Sequence, residues 1–267
     1  MRTLAPLHRR RIAVTGADDV GAYRVLHAAD PDGPAPWPGQ FYMLAAAERW
    51  GAGEDERPFL PRAFSFLSAA GGALSFMLED VGPGTRRLAE LDAGDGLELT
   101  GPLGCGFSVP AQDERALLVG GGVGLPPLAG WSRALDEAGV PVTVLLGFRN
   151  AAYAEAARLL EPAHLAIATD DGSVGHRGLV TELLAAELDD NAAATVYACG
   201  PPAMLETVRV LCEERDVPAQ LALEAGMACG FGACFGCVVA VREGGYVRVC
   251  VDGPVLDARR LDAVPAH

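Results

Sequence analysis

Four cysteines crowd into one C-terminal stretch, Cys229, Cys234, Cys237 and Cys250, with the spacing C-x4-C-x2-C-x12-C. Thiolates are soft ligands, and a C-x4-C-x2-C run followed by a distant fourth cysteine is the plant-type spacing for a [2Fe–2S] cluster. Gly230, Gly232 and Gly236 would let such a loop turn sharply and aim amide N–H groups at sulfur. The competing chemistry is zinc, but zinc ribbons pair two C-x2-C knuckles, whereas here one gap is x4 and the fourth cysteine stands alone. Cys105, Cys199 and Cys212 are scattered, and in a reducing compartment none of the seven cysteines is expected to form a disulfide.

Four other strings could hold a ligand. Arg62-Ala63-Phe64-Ser65 reads as a strand, and Gly82-Pro83-Gly84-Thr85 follows it after a hairpin and opens a helix. Because the first amides of a helix lack internal partners, Gly82 to Thr85 can cradle a pyrophosphate while Arg62 neutralises it. Phe64 would offer an aromatic face to a flat ring and Ser65 a hydroxyl to a ring nitrogen; taken singly, these strings are an ordinary strand and an ordinary turn. The third string, Leu117 to Pro127, carries Gly120, Gly121, Gly122 and Gly124 between a strand and a proline-led helix, where a dinucleotide phosphate would sit. It is not G-x-G-x-x-G, because Leu125 and Pro127 break the pattern, and Gly147-Phe-Arg-Asn150 stands where a ribose-binding acid would be, so a turn made only for packing is the alternative. The last string, Cys199-Gly200-Pro201-Pro202, ends a parallel strand on the side where a nicotinamide would lie, though a lone strand-terminal cysteine also suits plain core packing.

These strings need elements to carry them. Short β-rich runs at 12–15, 23–27, 40–44, 63–68, 74–78 and 97–100, with one helix at 84–91, predict an antiparallel barrel or sandwich. Beyond residue 111 the rhythm changes: strands at 116–119, 142–146, 164–169, 195–199 and 220–223 alternate with helices near 126–138, 151–160, 178–188 and 202–215, which predicts a parallel sheet. The expected organisation is a multi-domain chain: an antiparallel β-barrel over 1–109, to which the resemblance given below assigns FAD, an α/β nucleotide-binding domain over 110–223 and a small iron–sulfur extension over 224–267.

Composition narrows the function classes. The net charge of −14 repels nucleic-acid backbones, and no basic tract beyond Arg9-Arg10-Arg11 offsets it. All 21 basic residues are arginines, so Schiff-base lysine chemistry is excluded. The longest apolar runs, 142–148 and 237–241, fall far short of the ~20 residues a spanning helix needs, and the residues after Arg11 form no apolar leader, so a cytoplasmic location is expected.

In this order the four strings resemble the ferredoxin–NADP reductase superfamily. With the cysteine run, Val249-Cys-Val-Asp-Gly-Pro-Val255 and the string from Asp170-Asp-Gly-Ser to Gly178, the sequence is similar, over roughly residues 10–258, to electron-transfer subunits of dihydroorotate dehydrogenase B. The resemblance implies that FAD lies with its pyrophosphate on Arg62 and Gly82 to Thr85 and its ring against Ala63, Phe64 and Ser65. It implies that NAD lies on Gly120 to Gly124 and Cys199 to Pro201, and that the four clustered cysteines ligate [2Fe–2S]. It further implies a role in pyrimidine biosynthesis and an FMN-containing catalytic partner, in a heterotetramer of two copies of each. Such a partner's (β/α)8 barrel needs ~250 residues of its own, and this chain has none to spare. Two departures stand out: Ala63 replaces a common proline, and Cys105 stands where asparagine is frequent. The alternatives are the flavin and iron–sulfur subunit of another NAD(P)H complex, such as a bifurcating ferredoxin:NADP reductase or a sulfhydrogenase, and a zinc-stapled nucleotide-binding regulator. Met227, Phe231 and Phe235 on the cysteine loop suit either a partner face or packing on the barrel.

Overall fold

The computed structural model describes residues 9–51, 58–111 and 114–265. Seven antiparallel strands come first: β1 (Arg10–Val20), β2 (Tyr23–Ala29), β3 (Phe41–Ala46), β4 (Arg62–Ser65), β5 (Ser68–Ala70), β6 (Ala73–Leu78) and β7 (Gly96–Leu103). Their order in the sheet is β4-β3-β7-β1-β2-β6-β5. The two edge strands are consecutive in the chain, joined only by Phe66 and Leu67, so the sheet must roll until its edges meet; it is a half-barrel with one seam. The expected single strand at 63–68 is therefore two strands on opposite edges. The chain changes edge where Phe66 and Leu67 turn their side chains into the interior. Helix α1 (Pro83–Ala89) closes one end of the roll, and its fully buried Leu88 joins Tyr42, Leu44, Phe76, Leu97 and Leu99 in the core. Burial of that one side chain is worth about 2 kcal/mol.

A second sheet follows, built from β8 (Arg115–Gly121), β9 (Val142–Phe148), β10 (His164–Thr169), β11 (His176–Arg177), β12 (Ala194–Cys199) and β13 (Ala219–Ala222). These strands are parallel, and β8 and β12 are buried almost throughout because helices cover both faces of the sheet. The covering helices are α2 (Leu125–Glu137), α3 (Ala151–Ala154), α4 (Val180–Asp190) and α5 (Pro202–Glu214). The helix expected at 151–160 is only one α-turn continued by a 3-10 stretch, Glu155–Leu159, and Pro162, three residues on, bars its extension. In the order β11-β10-β9-β8-β12-β13 the chain leaves β8 first to one side and then to the other. That reversal opens a crevice beyond the carboxyl ends of β8 and β12, where open parallel sheets bind ligands.

The C-terminal segment contains a small hairpin, β14 (Val238–Ala240) and β15 (Tyr246–Arg248), then the one-turn helix α6 (Val249–Asp252) and a last strand, β16 (Val255–Asp257). Strand β16 adds antiparallel to β13 and so returns the chain to the large sheet, which periodicity had not predicted. Cys237, Val239, Val247 and Cys250 share one buried cluster with Phe41, Met43 and Leu103 of the half-barrel and with Leu221 and Leu256 of the parallel sheet. Cys105 fastens the junction by donating from its amide to the Gly253 carbonyl and from its thiol to Val251 O at 3.4 Å.

Candidate cofactor clefts and the cysteine cage

A cleft of about 500 Å³ lies between the half-barrel and the parallel sheet, lined by Arg62, Ala63, Phe64, Ser65 and Thr85 together with Cys199, Leu223 and Glu224. Strand β4 is at the edge of its sheet, and Arg62 to Ser65 border the cleft. Arg62 packs flat on Gly84: a Cβ there would stand 2.5 Å from Arg62 Nε, so only glycine lets the guanidinium lie over the start of α1. The Thr85 hydroxyl accepts from the amides of Val81 and Gly82 at 2.9 and 3.0 Å. Gly82's amide is thus taken and Pro83 has none, which leaves the amides of Gly84 and Thr85 without an intrahelical partner. Cys199 is deeply buried, and burial followed by the nearby Glu224 carboxylate pushes its thiol far up, so it forms a neutral wall rather than a nucleophile.

A second cleft of about 490 Å³ adjoins the first beyond the ends of β8, β9 and β10. Gly121, Gly122 and Pro201 line it, with Phe148, Arg149, Asp170 and Met204. The other expected residues serve close approach. A Cβ on Gly124 would strike the Cys199 carbonyl, one on Gly200 would stand 2.9 Å from Gly121 N, and one on Gly120 would press on Leu146 and Leu128. Gly120 and Gly124 thus fit the packing reading of the glycine string, while Gly121 and Gly122 line the cleft. Glu79, Val123 and Glu224 line both clefts, so the two open onto each other. Glu79 and Glu224 escaped sequence reasoning, although Glu79 directly follows β6, and Glu224 stands two residues past β13, where the carboxyl-end rule could have flagged it. Glu79 reaches from the half-barrel to Arg149 at 2.9 Å and holds that guanidinium further above its ordinary range; Arg149 also lies over the Tyr153 ring at 4.6 Å.

The cysteines meet as two linked pairs. Cys234 lies near enough to Cys229, and Cys237 near enough to Cys250, to shift its neighbour's titration, and Cys229 also acts on Cys250. Amides are aimed at three of the sulfurs: Ala233 N at Cys229 Sγ (3.3 Å), Gly236 N at Cys234 Sγ (3.4 Å) and Cys250 N at Cys237 Sγ (3.4 Å). Burial alone would push the Cys229 thiol up, but the N–H groups of Phe231, Cys234 and Ala233 and the Cys234 thiol outweigh it and bring it down to about 6. Cys250, buried and next to Cys237, is pushed up to about 12. Among the described residues no three His, Cys, Asp or Glu side chains converge as a single bound ion would require. Two thiolate pairs with N–H groups on their sulfurs fit the donor set of a two-iron cluster, two thiolates to each iron.

Half-barrel, parallel sheet, adjoining clefts and cysteine cage together define an oxidoreductase of the ferredoxin-reductase type that works with FAD, NAD and a [2Fe–2S] cluster. Residues 118–210 match the oxidoreductase NAD-binding domain, and residues 224–262 match the iron–sulfur cluster binding domain of dihydroorotate dehydrogenase B. The electron transfer subunit of dihydroorotate dehydrogenase B (NAD(+)) from Geobacillus kaustophilus is 39% identical over 231 residues, 83% of this chain and 85% of that protein. The one from Desulforamulus reducens is 35% identical over 225 residues, 82% of this chain and 84% of that protein. Among solved structures, a chain of an NADH-dependent reduced ferredoxin-NADP oxidoreductase is similar with a TM-score of 0.80 at 25% identity, covering 94% of this chain and 90% of that one. The chain belongs to the family of dihydroorotate dehydrogenase B electron transfer subunits.

Proposed function

We propose that this chain takes electrons from an FMN-bearing, dihydroorotate-oxidising partner and relays them through the cluster and FAD to NAD+, in pyrimidine biosynthesis. One observation carries the reading. The segment that lines the flavin cleft with Ala225, Gly226 and Met227 runs directly into Cys229, and the flavin cleft opens onto the nicotinamide cleft through Glu79, Val123 and Glu224. In this reading the cluster, flavin and nicotinamide sites form one uninterrupted path. When bound, the cluster exchanges single electrons and FAD exchanges a hydride with NAD+.

In this reading Arg62 and the amides of Gly84 and Thr85 hold the FAD pyrophosphate, with Gly82 and Pro83 shaping the turn. Ala63, Phe64 and Ser65 border the flavin ring. Gly121, Gly122 and Pro201 contact the nicotinamide nucleotide, while Gly120, Gly124, Cys199 and Gly200 set the walls that receive it. Cys229, Cys234, Cys237 and Cys250 ligate the cluster. The chain divides functionally at 1–109, 110–223 and 224–267, and the assembly is a cytoplasmic heterotetramer with two copies of each subunit. No helix among the described residues is long and apolar enough to cross a membrane, in keeping with that location.

The test is coexpression with a dihydroorotate-oxidising FMN subunit and assay of the purified complex without oxygen. Flavin bands, iron and labile sulfide, with NAD+ reduced by dihydroorotate, are expected. A complex that instead couples NADH, ferredoxin and NADP+ would favour the second reading, which the structural likeness to the ferredoxin-NADP oxidoreductase supports.

A further inference from the structure

Arg248 touches both halves of the cysteine cage. It ends β15 and stands just before α6, two residues ahead of Cys250. Its Nη1 donates to the Gly232 carbonyl at 3.2 Å, and its guanidinium carbon lies 5.4 Å from the centroid of the Phe235 ring. On its other side Nε lies 3.8 Å from the Asp252 carboxylate, which also accepts from the Arg248 amide at 3.0 Å. Gly232 and Phe235 belong to the loop that carries Cys229, Cys234 and Cys237; Asp252 belongs to the turn that carries Cys250. One side chain therefore joins the two ligand-bearing segments.

The fit is close and it holds strain. A Cβ on Gly232 would stand 3.1 Å from Arg248 Nη1 and 2.7 Å from Val251 Cγ2, so the loop lies directly on the guanidinium and on α6. Phe235 has φ +58, a left-handed backbone that an L side chain adopts only when its surroundings hold it there. The Arg248 guanidinium is the cation that stands over its ring. The charge matters as much as the shape. Two irons, two sulfides and four thiolates carry a net negative charge that grows on reduction, so a cation fastened to the loop favours the reduced form.

We propose that Arg248 is a positioning residue for the cluster: it clamps Gly232 and Phe235 against the turn of Cys250, and its charge raises the cluster's reduction potential, with Asp252 partly offsetting it. The proposal rests on the cluster reading above, and iron and labile sulfide content reports on that reading separately.

The experiment is a redox titration of the anaerobically purified full chain, followed by the electron paramagnetic resonance of the reduced cluster. Arg248→Gln should move the midpoint negative by about 59 mV, which is a tenfold change in a one-electron equilibrium. Arg248→Lys, which keeps the charge, should move it by less than about a third of that. Asp252→Asn should move it the opposite way, to more positive values, because the arginine then goes unopposed. A merely structural role would not give shifts of opposite sign. Full iron content with an unchanged midpoint in Arg248→Gln, or shifts in the same direction in Arg248→Gln and Asp252→Asn, would overturn the proposal. Should Arg248→Gln fail to retain iron, Asp252→Asn decides alone: a positive shift supports the proposal and no shift rejects it.

Discussion

The cysteine cage and the two clefts are built by opposite means. All four thiols lie within residues 229–250, and the amides that point at them come from the same stretch. The clefts draw residues from Phe41 to Pro254 and from Tyr23 to Glu224, and exist only where the half-barrel meets the parallel sheet. A local site depends on a few side chains and the turns between them, whereas a seam depends on how closely two backbones approach. The two should therefore fail independently.

The largest expected effect breaks the cage alone. Cys234→Ser replaces a soft thiolate that accepts from Gly236 N with a harder and far less acidic hydroxyl. Iron should be lost, and dihydroorotate-linked NAD+ reduction in the complex should fall by more than about 100-fold, past the ~10–100-fold usual for outer-shell changes. Flavin absorbance and NADH oxidation with a small two-electron dye should persist, since none of the four clustered cysteines lines either cleft. Iron-free protein that still carries out the linked reaction would show that electrons bypass the four cysteines.

Next comes the seam. Arg62→Ala removes a cation that lies over Gly84 beside two unpaired amides, and charge-assisted contacts of this kind are worth about 2–3 kcal/mol. FAD affinity should drop by ~30- to 100-fold while iron content stays at the level of the unaltered chain. Flavin remaining after extensive dialysis would put the pyrophosphate elsewhere.

The same contrast explains what could be read from the sequence. The four cysteines could be singled out because their spacing is itself the proposed chemistry, and five of the six parallel strands were legible because each is a largely apolar run, whereas the two residues of β11 carry no such signal. What escaped depends on distant partners. Nothing in Ala63 to Ser68 signals that the chain crosses between edges of a rolled sheet, and only β13 makes a strand of Val255–Asp257. Gly120 and Gly124 read as a phosphate loop, yet Leu146 and the Cys199 carbonyl, contributed from elsewhere in the chain, give them their packing role. Glu79 carries no local signal either; its place between the clefts follows from Arg149, seventy residues on.

A smaller effect tests the outer face of the cage. Phe231 and Phe235 are 44% and 61% exposed, although Phe231 also borders a groove with Met43, Trp50 and Phe59. Large apolar side chains this exposed beside a one-electron site suit the face that meets the catalytic subunit. Phe231→Asp and Phe235→Asp should each weaken complex formation by about 10-fold, given ~1–2 kcal/mol for a peripheral anchor, measured by gel filtration over a concentration series. If both leave the elution profile unchanged, the partner binds elsewhere.

The smallest effect asks whether the seam depends on backbone approach or merely on charge. Gly84→Ala adds one methyl at the second position of α1, where the backbone does not require glycine and alanine is the better helix former by up to ~1 kcal/mol. Local stability should therefore hold or rise slightly. The new Cβ, however, would fall 2.5 Å from Arg62 Nε and 2.8 Å from Cζ, so the guanidinium must move off the start of the helix. Its charge remains nearby, so FAD affinity should fall by only about 3- to 10-fold, roughly 1 kcal/mol, well short of the loss in Arg62→Ala. Thermal unfolding of the flavin-free protein and titration with FAD measure the two quantities separately. A midpoint that holds while affinity falls locates the effect in the position of Arg62. Unchanged affinity would mean that the pyrophosphate needs only a cation somewhere near, and that the close fit of Arg62 on Gly84 has no part in binding.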